Sequence, residues 1–394
     1  MELNPFSYEF HEDPYPTYRW LRDHAPVHRN EELDFWALSR YADVVEASRD
    51  WSTYSSAQGT TLERLDPAMF ETMPMMIFMD PPRQIAMRRL VNRAFTPHAT
   101  AGLEDRIRSV TTALLEPLVE RGGGDFVREL SALLPMEVIF DLLGVPSDDR
   151  RTLRAWMDES LARNPEPPVV PDRAIEAMAN MTSYWFDFVA DRRRRPGDDL
   201  VGQLVAAELE TDEGPRPLTD GELVGFCSLL GAAGNETVTK LLANAVVLLH
   251  RHPDARAAVV TDPACIPGAV EEVLRYTSPS QYQGRTLTRE VELHGVAMPQ
   301  GARVLLLTAS ANRDERQFPD PDRFDVRRPP HVALGFGHGV HSCLGAHLAR
   351  VESRVALEEF TRRFPRYEVD ESRLERVHMS NVHGFSGVPF RAAA

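Results

Sequence analysis

The chain has 394 residues, 43% apolar and 26% charged, an ordinary globular balance for one large domain or two to three smaller ones. Lys and Arg total 44 against 59 Asp and Glu, a net charge of −15, so neither nucleic acid nor an anionic membrane is expected as the main partner. Three scattered cysteines, Cys227, Cys265 and Cys343, form no CxxC, give no sign of a disulfide framework and suit a reducing cytoplasm.

The opening residues, MELNPFSYEFHEDPYP, show neither a basic nor an apolar signal segment. Helical periodicity begins at Pro14–Ala25, and a short strand is expected near Phe35–Ser39. The stretch Gly59–Met79, with Met76 and Phe78, is rich in adaptable apolar side chains. Arg88, Arg89 and Arg93 follow at helical spacing in DPPRQIAMRRLVNR, a basic patch on an acidic chain. Further helices are expected over Thr100–Glu120, Glu129–Leu143 and Asp172–Arg193, with Glu166–Pro171 as a loop.

Thr219-x-x-Glu222 is a capping box that opens a helical run to about His250, about 45 Å long. Its centre reads GAAGNET, from Gly231 to Thr237. Two glycines, a charge and a threonine weaken a buried helix, and such violations are expected where function demands them. The longest apolar stretch, Leu223–Gly234, is too short to span a bilayer. Glu272 and Arg275 lie one turn apart in the helical run Pro267–Tyr276. Glu290–Gly295 and Arg303–Thr308 read as a small hairpin-like sheet, with turn signals at His294-Gly295 and Pro299–Gly301. More strand is expected near the C-terminus, and the overall reading is a helix-dominated domain with minor sheets.

The segment Leu334–His347, LGFGHGVHSCLGAH, carries the densest chemistry. Cys343 ends a Gly-rich loop just before a helical run to Phe364, so free amides and the helix dipole should favour its thiolate. Gly345 would let a flat cofactor approach closely. Three chemistries fit this segment. Cys343 could be the axial ligand of a haem iron. It could join His338, His341 and His347 around zinc. It could be a nucleophile activated by a nearby histidine.

The stretch FGHGVHSCLG resembles the haem-binding signature F-G-x-G-x-x-x-C-x-G of the cytochrome P450 monooxygenases, with Phe336, Gly337, Gly339, Cys343 and Gly345 in the defined positions. Ala233, Gly234, Glu236 and Thr237 match that family's A/G-G-x-D/E-T motif. Glu272, Arg275 and the Arg323 of Pro321-Asp322-Arg323-Phe324 match its E-x-x-R and P-x-R-F. Motifs in this order run from Asp80 to the C-terminus.

The resemblance implies a single cytochrome P450 domain over residues 1–394, mainly α. Its small β-sheets would lie near the N-terminus, at about 290–310 and at about 365–394. It implies haem b (iron protoporphyrin IX) bound through Cys343. Arg88, Arg285, His341 and, as a weaker neutral donor, Gln84 would serve its propionates. Thr237 would hydrogen-bond to bound dioxygen and Glu236 would relay protons. Glu272, Arg275 and Arg323 would form a buried network that fixes the cysteine loop. A substrate pocket is implied at Met76, Phe78, Leu229, Gln281, Tyr282 and Phe385.

The expected activity is O2-dependent hydroxylation or epoxidation of a mid-sized, largely apolar organic molecule. A peroxide-using or coupling enzyme and a non-catalytic haem sensor are the alternatives. Electrons would come from a ferredoxin or flavodoxin and its NAD(P)H-linked reductase, to a protein expected as a monomer.

Overall fold

The computed structural model of the chain describes residues 3–62, 67–160 and 171–393. The expected loop Glu166–Pro171 falls almost wholly outside them. A one-turn helix, Tyr8–Glu12, precedes α1 (Tyr15–His24), where the Pro14–Ala25 periodicity placed a helix. The strands β1 (Val27–Asn30) and β2 (Phe35–Leu38) follow, then α2 (Tyr41–Arg49) and β3 (Tyr54–Ser55). Next come α3 (Arg83–Val91), α4 (Glu104–Arg121), α5 (Leu134–Leu143), α6 (Ser147–Ser160) and α7 (Asp172–Arg194).

The capping box forms as read: Thr219 accepts from the Glu222 amide and Glu222 accepts from the Thr219 amide. It opens α8 (Asp220–Arg251), whose 32 residues make it about 48 Å long. Residues Leu241–Leu249 of α8 are all buried, so this helix is the axis on which the others pack. α9 (Ile266–Thr277) carries Glu272 and Arg275 on one buried face. α10 (Ala346–Arg363) starts three residues after Cys343.

The strands β4 (Gln283–Leu287) and β5 (Arg303–Leu306) complete a five-stranded sheet of order β1-β2-β5-β4-β3. Here the sequence reading needs correction. Val291–Leu293 does not pair with Arg303–Leu306; it pairs with Val296–Met298. The intervening turn has positive φ at His294 and Gly295, the backbone that a two-residue hairpin requires. β5 instead runs parallel to β2 and antiparallel to β4. The expected C-terminal strand is present, with Tyr367–Val369, Pro389–Ala392 and Gly123–Asp125 forming a three-stranded sheet. A helical core thus lies beside a smaller sheet-centred one, and the loops between them converge on the cysteine.

Candidate active site

The cysteine loop is fixed from several directions. The Leu334 amide donates to Asn312 Oδ1 at 2.6 Å, and the Cys343 amide donates to the Phe336 carbonyl at 2.7 Å. Gly339 has φ +73°, and a Cβ there would lie 2.2 Å from the Ser48 carbonyl of α2, so only glycine lets the loop pass. Arg350 of α10 stacks 4.5 Å over the Phe336 ring. Cys343 lies deep in the fold, yet its side chain is exposed because it opens on an internal cavity.

Burial pushes the Cys343 thiol up. A hydrogen bond from the Gly345 amide and the charges of Arg88 and Arg350 pull the other way without cancelling it. Burial thus favours the protonated free thiol and opposes the thiolate that the helix terminus favours. A bound metal cation displaces that proton outright.

α8 forms another wall. Gly234 and Thr237 line the cavity, and a Cβ on Gly234 would meet nothing within 4 Å. The Ala233 side chain lies outside the described residues. Glu236 is not among the lining residues. Its Oε2 lies 3.0 Å from Lys240 Nζ, one turn along, and both side chains are largely buried. Glu236 and Thr237 are thus adjacent but differently directed.

A ring of donors and cations completes the cavity. Gln84 Nε2 donates to the Val340 carbonyl at 3.0 Å, and Arg88 Nη1 reaches the same oxygen at 3.4 Å. Arg285 Nη1 donates to the Gly284 carbonyl at 2.6 Å. Neither arginine has an ion-pair partner among the described residues. Burial lowers Arg285 to about 10, although Asp80 opposes the shift. Burial, then the charge of Arg285, lowers His341 to about 4. His341 Nε2 and Gln84 Oε1 are buried with no hydrogen-bond partner among the described residues.

Buried cations and orphaned polar atoms are costly unless an anion meets them. Two carboxylates on a flat cofactor whose metal lies at Cys343 fit this ring. The zinc reading lacks its ligands: among the described residues no three His, Cys, Asp or Glu gather into a metal-holding group. His338 instead accepts from Arg49 Nε at 2.9 Å.

The substrate side agrees only in part with the sequence reading. Met76 and Leu229 line the cavity, with Ile77, Leu230 and Val238. Phe78 does not; its ring packs edge-on against Phe70, 5.0 Å between centroids. Gln281 is tied into the core by the Tyr18 hydroxyl at 3.0 Å and the Thr277 carbonyl at 2.9 Å. Tyr282 is equally committed, to Ser380 Oγ at 3.0 Å and the Leu62 amide at 3.2 Å. Phe385 lies 4.7 Å under Arg376 and lines a separate cleft beside α1.

Strand alternation explains part of this. Gln283 and Arg285 share one face of β4, and Tyr282 takes the other. Ser280 and Gln283 reach the cavity in place of the two expected residues. Sequence reasoning also missed Glu352 on α10, which lines the cavity and whose carboxyl burial pushes up to about 8. Its signal was an acid among the apolar positions of that helical face, one of two with Glu359.

The supporting network needs one correction. Arg275 is fully buried and holds Glu272 with both Nε (2.8 Å) and Nη2 (2.9 Å). Its Nη1 donates to the carbonyls of Asn312 at 3.0 Å and Pro321 at 2.8 Å. The third partner is not the Arg323 side chain, which is 69% exposed and 3.5 Å from Asp325. Arg328 fills that place, with Nε 3.1 Å from Glu272 Oε2 and a largely buried side chain. Arg323 contributes its carbonyl, which accepts from Arg275 and Arg328. Asn312 carries the network onward, because its side chain holds the Leu334 amide at the start of the cysteine loop.

Residues 266–384 match the family model for cytochrome P450. Cytochrome P450 130 of Mycobacterium tuberculosis is 42% identical, covering 97% of this chain and 96% of that protein. The vitamin D(3) 25-hydroxylase of Pseudonocardia autotrophica is 40% identical, covering 89% of this chain and 86% of that protein. Among solved structures, CYP109E1 from Bacillus megaterium in complex with testosterone superposes with a TM-score of 0.89 at 33% identity, covering 98% of this chain and 100% of that one. With Cys343 facing a mostly apolar cavity rimmed by arginines that have no ion-pair partner among the described residues, and with relatives matched along nearly its whole length, the chain belongs to the cytochrome P450 family and is a haem-thiolate monooxygenase.

Proposed function

We propose that the protein hydroxylates or epoxidises a mid-sized, largely apolar organic molecule, using b-type haem and electrons from a ferredoxin or flavodoxin with its NAD(P)H-linked reductase. One observation carries this reading: Cys343, Gly234, Thr237 and the ring Gln84, Arg88, Arg285 and His341 share a single, mostly apolar cavity. Relatives named for vitamin D(3) 25-hydroxylation and cyclomarin C epoxidation support reactions of these two kinds.

Cys343 would hold the metal, and the four rim residues would hold the propionates. Haem bound through a thiolate supplies the electron density that favours O–O cleavage. The Thr237 hydroxyl would hold a proton at the cavity wall, where an ordered supply is needed. Glu236 would replenish it after releasing Lys240. Met76, Ile77, Leu229 and Leu230 would keep bulk water out. Arg89 and Arg93 are exposed and available to an acidic ferredoxin, whereas Arg88 is half-buried and turned to the cavity rim.

The test is the difference spectrum of the reduced protein with CO. The wild type is expected to give a thiolate-type band, and Cys343→Ser is expected to lose it. A surviving band after that substitution would show that another residue ligates the metal. A ligand panel scored for spin-state shift then ranks candidate substrates.

A further inference from the structure

Most side chains around the cavity are apolar or charged, but two neutral polar ones face each other. Gln283 Nε2 donates to Ser280 Oγ at 2.8 Å. Ser280 is itself fixed: its carbonyl accepts from Thr308 Oγ1 at 2.9 Å, and its backbone forms an isolated bridge to Val382. Ser280, Gln283 and Thr308 all line the cavity that holds Cys343 and Thr237.

The pair is chemically incomplete. A primary amide offers one carbonyl acceptor and two donors, and a hydroxyl offers one donor and two lone pairs. Their mutual bond leaves Gln283 Oε1 and the Ser280 O–H without a protein partner among the described residues. Turning the amide over exchanges the roles and still leaves one donor and one acceptor. Half-buried groups in this state favour a ligand that satisfies both.

Their position is equally specific. Gln283 and Arg285 are two residues apart on β4, hence on one face and about 6.6 Å apart along the strand. Arg285 belongs to the ring that would hold a propionate, so Gln283 sits one strand step from it, beside Ser280, whose backbone bridges to Val382.

We propose that Ser280 and Gln283 form a neutral subsite that recognises a hydroxyl group on an otherwise apolar substrate, away from the atom that is oxidised. A hydroxyl donates and accepts, so it completes both partners at once. An ether or carboxylate only accepts, and an ammonium only donates. The inference rests on the function proposed above and deepens it by naming the substrate class, an apolar alcohol.

The test uses two ligand series of increasing chain length on the ferric holoprotein, 1-alkylimidazoles and ω-(imidazol-1-yl)alkan-1-ols. The imidazole nitrogen fixes one end at the iron and shifts the Soret band, so Kd is read optically without turnover. At one chain length the alcohol is expected to bind at least as tightly as the matching alkane, against its lower hydrophobicity. Gln283→Leu and Ser280→Ala, each with an unchanged CO band, are expected to weaken that alcohol about tenfold and the alkane less than about twofold. An alcohol weaker than its alkane at every length overturns the subsite, as does equal weakening of both series in the variants. Absence of any Soret band from the purified protein removes the cofactor reading itself, and the subsite with it.

Discussion

Thr237 follows Glu236 in sequence and lies about 100° from it around the helix. That angle separates their chemistry: Thr237 faces the cavity, while Glu236 pairs with Lys240. Lys240 is the only lysine in the chain, and its side chain is buried. Thr237→Ala is expected to lower the share of consumed NAD(P)H that ends in product several-fold, with hydrogen peroxide making up the difference. It should leave ligand Kd within about twofold. The measurement is product and peroxide per NAD(P)H, using the ligand with the largest spin-state shift. Unchanged coupling would remove Thr237 from proton handling.

Among elements, the network beneath the cysteine loop separates sequence expectation from structure most sharply. Glu272 is buried and held by Arg275 and Arg328, while the Arg323 side chain stands in solvent. Arg328→Ala is expected to cost about 2–3 kcal/mol, because a buried charge loses a charged partner. Arg323→Ala is expected to stay within about 0.5 kcal/mol. Urea unfolding of the two variants decides between them, and equal losses would contradict the geometry.

A second element-scale prediction concerns the N-terminal helix Tyr8–Glu12. Burial, then the charge of His378, lowers His11 to about 4; burial, then the charge of Arg376, lowers His383 to about 3. Their folded values lie below the usual 6.5, so stability is intact above pH 6.5 and falls as the pH drops toward 4. At about 1.4 kcal/mol per pH unit for each ring, the loss reaches several kcal/mol. His383→Gln should flatten the decline of Tm over that range, and an equally steep decline would count against the assignment.

Across the whole molecule, the charge is −15, yet exposed Arg89 and Arg93 lie close to Arg88 at the cavity rim. Turnover with an acidic ferredoxin should fall as ionic strength rises, because the screening length shortens to about 8 Å at physiological salt. Charge reversal of Arg89 and Arg93 should raise KM for ferredoxin about tenfold while leaving the CO band unchanged. Salt-independent turnover would place the docking site elsewhere. Among the described residues no helix is long and apolar enough to cross a membrane.

Much of this protein was legible locally. The capping box at Thr219, the hairpin turn at His294-Gly295 and the positive-φ glycines before Cys343 are set by backbone and near-neighbour chemistry, so a few residues determine each. Spacing alone also brought Glu272 to Arg275, one helical turn away. What the residues could not decide was any choice between neighbours across a tertiary contact. Arg328 rather than Arg323, and Ser280 and Gln283 rather than Gln281 and Tyr282, depend on where each side chain points once sheet and helices are packed. A strand residue changes face at every step and a helix residue turns by about 100°, so a shift of one position moves a side chain from cavity to core. The upward shift of the Cys343 thiol likewise depended on depth, because burial outweighed the hydrogen bond from the Gly345 amide and the charges of Arg88 and Arg350.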